Sequence, residues 1–117
     1  MRPPDARAPS PADHGALTIA QTAAAFTRIA DAIGGGKEAQ LEPAFLHARR
    51  LSESASGDDQ LDAEARQLFA NLATAVEAWR SNWPRLGRQQ DFRAAVTREA
   101  GQWARKLERL AQQTLTR

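Results

Sequence analysis

Hydrophobic positions recur at steps of three and four residues in four stretches of the chain. That spacing places side chains on one face of an α-helix, so the pattern predicts helices at about 16–33, 38–54, 59–82 and 91–115. The stripe of the first helix contains Ile19, Ala23, Phe26, Ile29 or Ala30, and Ile33. The stripe of the third helix contains Leu61, Ala65, Leu68, Leu72, Val76, Trp79 and Trp83. The stripe of the fourth helix contains Phe92, Val96, Glu99 or Ala100, Trp103, Leu107, Leu110 and Thr114. Four helices joined by short connections are typical of an antiparallel bundle, and this all-α bundle is the predicted fold class.

Glycine and proline define the predicted ends of these helices. Gly34–Gly36 ends the first helix, because glycine readily adopts the backbone angles that terminate one. Pro84 disfavours helical angles at Trp83 and is predicted to end the third helix, and Asp91 is the predicted N-cap of the fourth. Residues 1–14 are rich in proline and show no periodicity, which predicts a flexible N-terminal arm ahead of one bundle domain at 15–117.

Composition predicts a core that is poor in large side chains. The 117 residues include 25 alanines, whereas Leu, Ile, Val and Phe together number 20. Isoleucine and valine total five and tyrosine is absent, so the residues that favour β-sheet are scarce. Because alanine buries little area, a bundle of this size is expected to be marginally stable alone. We therefore expect a protein partner or self-association.

The chain offers few residues for catalysis or metal binding. It has no cysteine and only two histidines, His14 and His47, which excludes disulfides and thiolate zinc sites. The segment Gly34–Lys37 lacks the upstream glycine and the following Ser or Thr of a phosphate-binding loop. We expect a non-catalytic protein with no cofactor, no metal and no small-molecule substrate.

Hydropathy argues against a membrane protein. No run of about 18 apolar residues is present, and Met1–Ala12 has no apolar stretch of the kind that a signal peptide needs. The lack of cysteine is compatible with a reducing compartment. We expect a cytoplasmic protein without membrane contact.

Charge is divided unevenly along the chain. Residues 1–79 carry a net charge of −4 and residues 80–117 a net charge of +6, and arginine outnumbers lysine 14 to 2. On a helical projection Arg98, Arg105 and Arg109 lie within about 80° of one another, opposite the apolar stripe of the fourth helix. The predicted contact residues for a nucleic-acid backbone or a protein partner are Arg80, Arg85, Arg88, Arg98, Arg105, Arg109 and Trp83. Arginine suits phosphate recognition because its planar fork donates two parallel hydrogen bonds.

The basic stripe formed by Arg98, Arg105 and Arg109 is open to two further interpretations. It is also typical of a solvated face in an arginine-rich proteome. A second alternative is that the basic C-terminal part pairs with the acidic N-terminal part, within one chain or between chains.

The three tryptophans divide by position. Trp79 and Trp103 fall on apolar stripes and are predicted to be core residues. Trp83 stands beside Pro84 at a predicted helix end, where a core position and an exposed role as a partner anchor or base-stacking platform are both consistent with the pattern.

Size, helicity and charge together favour a subunit of a larger assembly. In those three respects, and in no sequence motif, the chain is similar in kind to the small all-helical subunits of RNA-guided CRISPR effector complexes. That resemblance implies a non-catalytic role in which the basic C-terminal helix contacts a nucleic-acid backbone. The alternative is a protein-binding adaptor, chaperone or antitoxin-like inhibitor without nucleic-acid contact.

Overall fold

The computed structural model describes residues 10–116 and confirms the all-α fold class. The helices are α1 (Pro11–Gly34), α2 (Glu38–Ser56), α3 (Ala63–Leu86) and α4 (Gln90–Leu115), and the described part of the chain contains no strand. Residues 1–9 of the predicted arm lie outside the described residues.

The first helix begins upstream of its predicted start. Residues 10–14, predicted as part of the arm, form the cap and first turn of α1. The Ser10 side chain accepts from the Asp13 backbone N–H, the Asp13 carboxylate accepts from the Ser10 N–H, and Pro11 occupies the first helical position. This capping box satisfies donors that a helix start leaves free, so the helix begins before its apolar periodicity does.

The ends of α3 also differ from the prediction. The helix starts at Ala63, where Asp62 accepts from the Ala65 N–H at 2.8 Å, and it continues through Pro84 to Leu86. Proline so close to a helix C-terminus removes one backbone hydrogen bond, and the Gly87 N–H donates to the Trp83 carbonyl at 2.7 Å in the next turn. The predicted stop at Pro84 was therefore wrong.

Smaller differences concern α2 and α4. Helix α2 extends two residues past its predicted end, to Ser56. The N-cap of α4 is Gln89, which makes no capping hydrogen bond with its side chain. Asp91, the predicted cap, lies in the first turn, where a carboxylate is still favoured by the helix dipole.

Helix α1 lies between α2 and α4. Three-residue turns, Gly35–Lys37 and Gly87–Gln89, make α1 antiparallel to α2 and α3 antiparallel to α4. Helix α1 packs extensively on α4 and also on α2, and α2 packs on α3, whereas α3 and α4 make few contacts with each other. The buried positions of α4 include Ala100, Ala104 and Ala111, and these small side chains allow α1 to approach closely.

The buried faces of α3 and α4 are rotated from the predicted stripes. Phe69, which lies outside the predicted α3 stripe, is fully buried, whereas Leu68 on that stripe is half-buried. Trp103 and Leu110, predicted on the α4 stripe, are likewise only partly buried. Each helix therefore carries a wider apolar surface than the core covers.

An alternating row of charges joins α2 to α3. The Arg49 guanidinium donates to Glu77 at 2.7 Å, and Arg80 donates to Glu42 at 2.7 Å and to Glu77 at 3.3 Å. Hydrogen bonding from Arg49 lowers the pKa of Glu77 below its ordinary value, and the Glu42 carboxylate raises the pKa of Arg80. Glu77 lies between Arg49 and Arg80, and Arg80 lies between Glu77 and Glu42, so the four side chains share one helix interface.

The lowered pKa of Glu77 predicts an acid-dependent loss of stability. The folded state binds fewer protons than the unfolded state, so this contribution is present above the unfolded pKa and is lost as pH falls through the folded pKa. The free energy of unfolding is expected to fall between about pH 5 and pH 3, and to fall less steeply in Glu77→Gln. Urea midpoints measured across this range check the prediction. Glu108→Gln, which changes an exposed carboxylate, is the control, and equal pH slopes in both variants would contradict it.

Candidate nucleic-acid interface

The outward face of α4 carries the arginines that the sequence placed opposite its apolar stripe. Arg98, Arg105 and Arg109 are all exposed. Within residues 10–116, none of the three has a carboxylate oxygen within 4.0 Å. At about 1.5 Å per residue they span roughly 16 Å along the helix. The face thus presents three arginines whose donors are available to an external anion.

Arg85 and Arg88 lie at the other end of the same helix pair. Arg85 is in the last turn of α3 and donates to the Asn82 side chain at 2.9 Å, and Arg88 is in the loop just before α4. Both are exposed. They can extend the positive surface past the beginning of α4.

Arg80 does not belong to this surface. Its guanidinium pairs with Glu42 of α2 and with Glu77 of its own helix. The sequence predicts Arg80 as a contact residue from its charge, whereas in the fold it pairs with Glu77, three residues away, and with Glu42, which lies 38 residues away on α2.

Trp83 is half-buried and packs against side chains of two other helices. Its ring centroid lies 5.5 Å from that of Phe45 and 5.6 Å from that of Phe92, and the Arg93 guanidinium carbon lies 5.3 Å from it. A Cβ at Gly87 would lie 2.8 Å from the indole nitrogen, so glycine at this position makes room for the ring. Trp83 packs between α2 and α4. This position makes it a poor platform for base stacking.

The other two tryptophans have different environments. Trp79 is buried as predicted, and its Nε1–H donates to Glu99 across the α3–α4 boundary at 3.3 Å. Trp103 is half-buried rather than a full core residue, and the Lys106 ammonium lies 5.0 Å from its ring centroid.

Arg93 is a structural residue that sequence reasoning missed. Its guanidinium pairs with Glu38 at 2.7 Å and donates to the Gly87 carbonyl at 2.8 Å, besides contacting Trp83. Because Glu38 begins α2 and Gly87 follows α3, one side chain connects both turns at this end of the bundle. No local pattern distinguishes Arg93 from the exposed arginines of α4.

A groove between α3 and α4 is the second feature that the sequence did not reveal. Its volume is about 460 Å³, and α1 contributes Gly15 and Ile19 to it. Leu68 of α3 and Leu110 of α4 line opposite sides. We call this feature the α3–α4 groove.

Helix α1 is tied to the loop at one end of this groove. The His14 Nε2 contacts the carboxylate of Asp58, which lies in the connection between α2 and α3. The hydrogen bond from His14 lowers the pKa of Asp58, and the Gln60 backbone N–H adds to the effect.

Comparisons of this chain with protein-family models, with curated proteins and with solved structures found no significant match. Across residues 10–116, no group of three or more His, Asp or Glu side chains is arranged to hold a metal ion. None of the described helices combines the length and apolar character needed to cross a bilayer.

Proposed function

We propose that this protein is a non-catalytic subunit that binds a nucleic-acid backbone through the outward face of α4. The observation that carries the proposal is the set of three exposed arginines, Arg98, Arg105 and Arg109, that have no acidic partner among the described residues. By contrast, the guanidinium groups of Arg49, Arg80 and Arg93 each form an ion pair with a carboxylate. The arginines that join helices of the bundle are therefore distinct from the arginines that face outward.

The geometry favours backbone contact over base recognition. The three arginines lie along one helix over roughly 16 Å, and a nucleic-acid duplex carries one phosphate charge per about 1.7 Å of its axis. A rod of this length can therefore lie beside several phosphates without entering a groove. Phosphate contacts of this type position a protein but do not read sequence, so we propose weak sequence preference.

Arg85 and Arg88 extend this surface in the proposal, and Arg80 and Trp83 are left out of it. Arg80 is paired with Glu42 and Glu77, and Trp83 packs against Phe45, Phe92 and Arg93. No catalytic residue is assigned.

Binding of a fluorescein-labelled single-stranded RNA, followed by anisotropy, tests the proposal. If three phosphates are contacted, the logarithm of the association constant should fall with the logarithm of salt concentration with a slope of about −2. An uncharged peptide nucleic acid of the same sequence is the control and should not bind. Absence of RNA binding at low salt, or equal binding of both probes, would refute the proposal.

A protein-binding adaptor is the second candidate, and the α3–α4 groove favours it. Half-buried Leu68 and Leu110 line this groove, where a further helix could cover them. Under this alternative the chain would bind a protein and show no salt-dependent RNA affinity.

A further inference from the structure

The α3–α4 groove has walls of opposite charge. The charged residues that line it are Asp62 and Glu64 on the α3 side and Lys106 on the α4 side. Within the described part of the chain, none of these three side chains forms an ion pair. Asp62 caps α3 by accepting from the Ala65 N–H, so Glu64 and Lys106 are the two charges that a partner can pair with.

The space between these walls is apolar, and no element of residues 10–116 covers it. Leu68 and Ala65 contribute from α3 and Leu110 from α4, and all three are only partly buried. Few contacts join α3 to α4, and the bonds that do join them, such as Trp79 to Glu99, lie nearer their connecting loop. The groove thus exposes apolar side chains that would gain free energy by burial.

We propose that the α3–α4 groove is the interface with a second copy of this chain. A twofold axis parallel to the groove places α3 of one copy against α4 of the other. Because the acidic wall is on α3 and the basic wall on α4, this rotation brings Glu64 of each copy opposite Lys106 of the second copy. An isologous contact of this kind closes on itself and gives a dimer.

The dimer does not rest on the proposed nucleic-acid function. The basic face with Arg98, Arg105 and Arg109 is about 100° around α4 from the groove, so it stays accessible in both copies. Dimer formation is measured without nucleic acid, and RNA binding is measured separately, so failure of one leaves the other intact.

Sedimentation velocity on the full chain, with a charge-swap pair, tests the proposal. The wild-type chain should sediment as a dimer at micromolar concentration. Glu64→Lys and Lys106→Glu should each weaken self-association at least about tenfold, because each places two like-charge pairs in the interface. Circular dichroism establishes that both variants remain helical.

Mixing the two variants gives the decisive result. In a mixed dimer each reversed side chain faces a side chain of opposite charge on the other copy. An equimolar mixture should therefore form dimers that neither variant forms alone. Contacts within one chain cannot produce this rescue. A wild-type monomer at high concentration, single variants that dimerise like wild type, or a mixture that stays monomeric would each overturn the proposal.

Discussion

Replacing Arg98, Arg105 and Arg109 together by glutamate is expected to reduce RNA affinity by roughly 1,000-fold at low salt. Three charge-assisted hydrogen bonds worth about 1.5 kcal/mol each are lost, and about 1.4 kcal/mol corresponds to a tenfold change in affinity. The remaining binding should also depend less on salt, because fewer counterions are released. Fluorescence anisotropy against salt concentration measures both effects.

The matched control reverses three cations elsewhere on the surface. Arg28, Lys37 and Arg50 are exposed on α1, on the turn after it and on α2, so their replacement by glutamate changes the net charge equally. We expect this control to weaken binding less than about tenfold, since only long-range attraction is altered. Equal losses in the two triple variants would mean that total charge, and not the face of α4, determines binding.

Arg93→Ala is expected to lower the free energy of unfolding by about 2–3 kcal/mol. The change leaves Glu38 without its partner at 2.7 Å and the Gly87 carbonyl without its donor at 2.8 Å, and it removes the cation from the Trp83 ring. Hydrogen bonds to charged groups contribute about 1.5–3 kcal/mol. A chain of this size should lose about 10 °C in Tm.

Differential scanning calorimetry measures this change. Arg98→Ala removes an arginine from the exposed face of the same helix and serves as the control, with an expected change below about 0.5 kcal/mol. If Arg93→Ala melts at the same temperature as Arg98→Ala, the assigned role of Arg93 is wrong.

The four helices could be predicted because the spacing of apolar residues within each helix is a local feature of the sequence. Apolar spacing identified four helices, and the stripe of α1 corresponds to its buried face, where Ile19, Phe26 and Ile29 are all buried. The helix ends were less predictable, because capping contacts of the backbone compete with the helix propensity of the sequence. The Ser10 capping box started α1 early, and α3 continued through Pro84 because little helix remained to be disrupted.

The outward and engaged arginines could not be separated from the sequence. Arg80 and Arg98 are both arginines on helices with apolar stripes, and only the fold shows that Glu42 reaches Arg80 from α2. The environment of Trp83 likewise depends on Phe45 and Phe92, which belong to two other helices. Contacts across helices depend on packing angles that one sequence does not encode locally.

The α3–α4 groove was hidden for a related reason. The periodic pattern shows how wide an apolar stripe is but does not show how much of it a neighbour covers. Small residues such as Ala100 and Ala104 bring α4 onto α1, which turns Leu110 towards the groove.

A nuclear magnetic resonance titration of the labelled chain with a short single-stranded RNA tests the central claim most directly. We expect the guanidinium signals of Arg98, Arg105 and Arg109 to shift first and most, and those of Arg80 and Arg93 to stay nearly unchanged. Shifts that spare the outward face of α4, or that are spread evenly over all arginines, would contradict it.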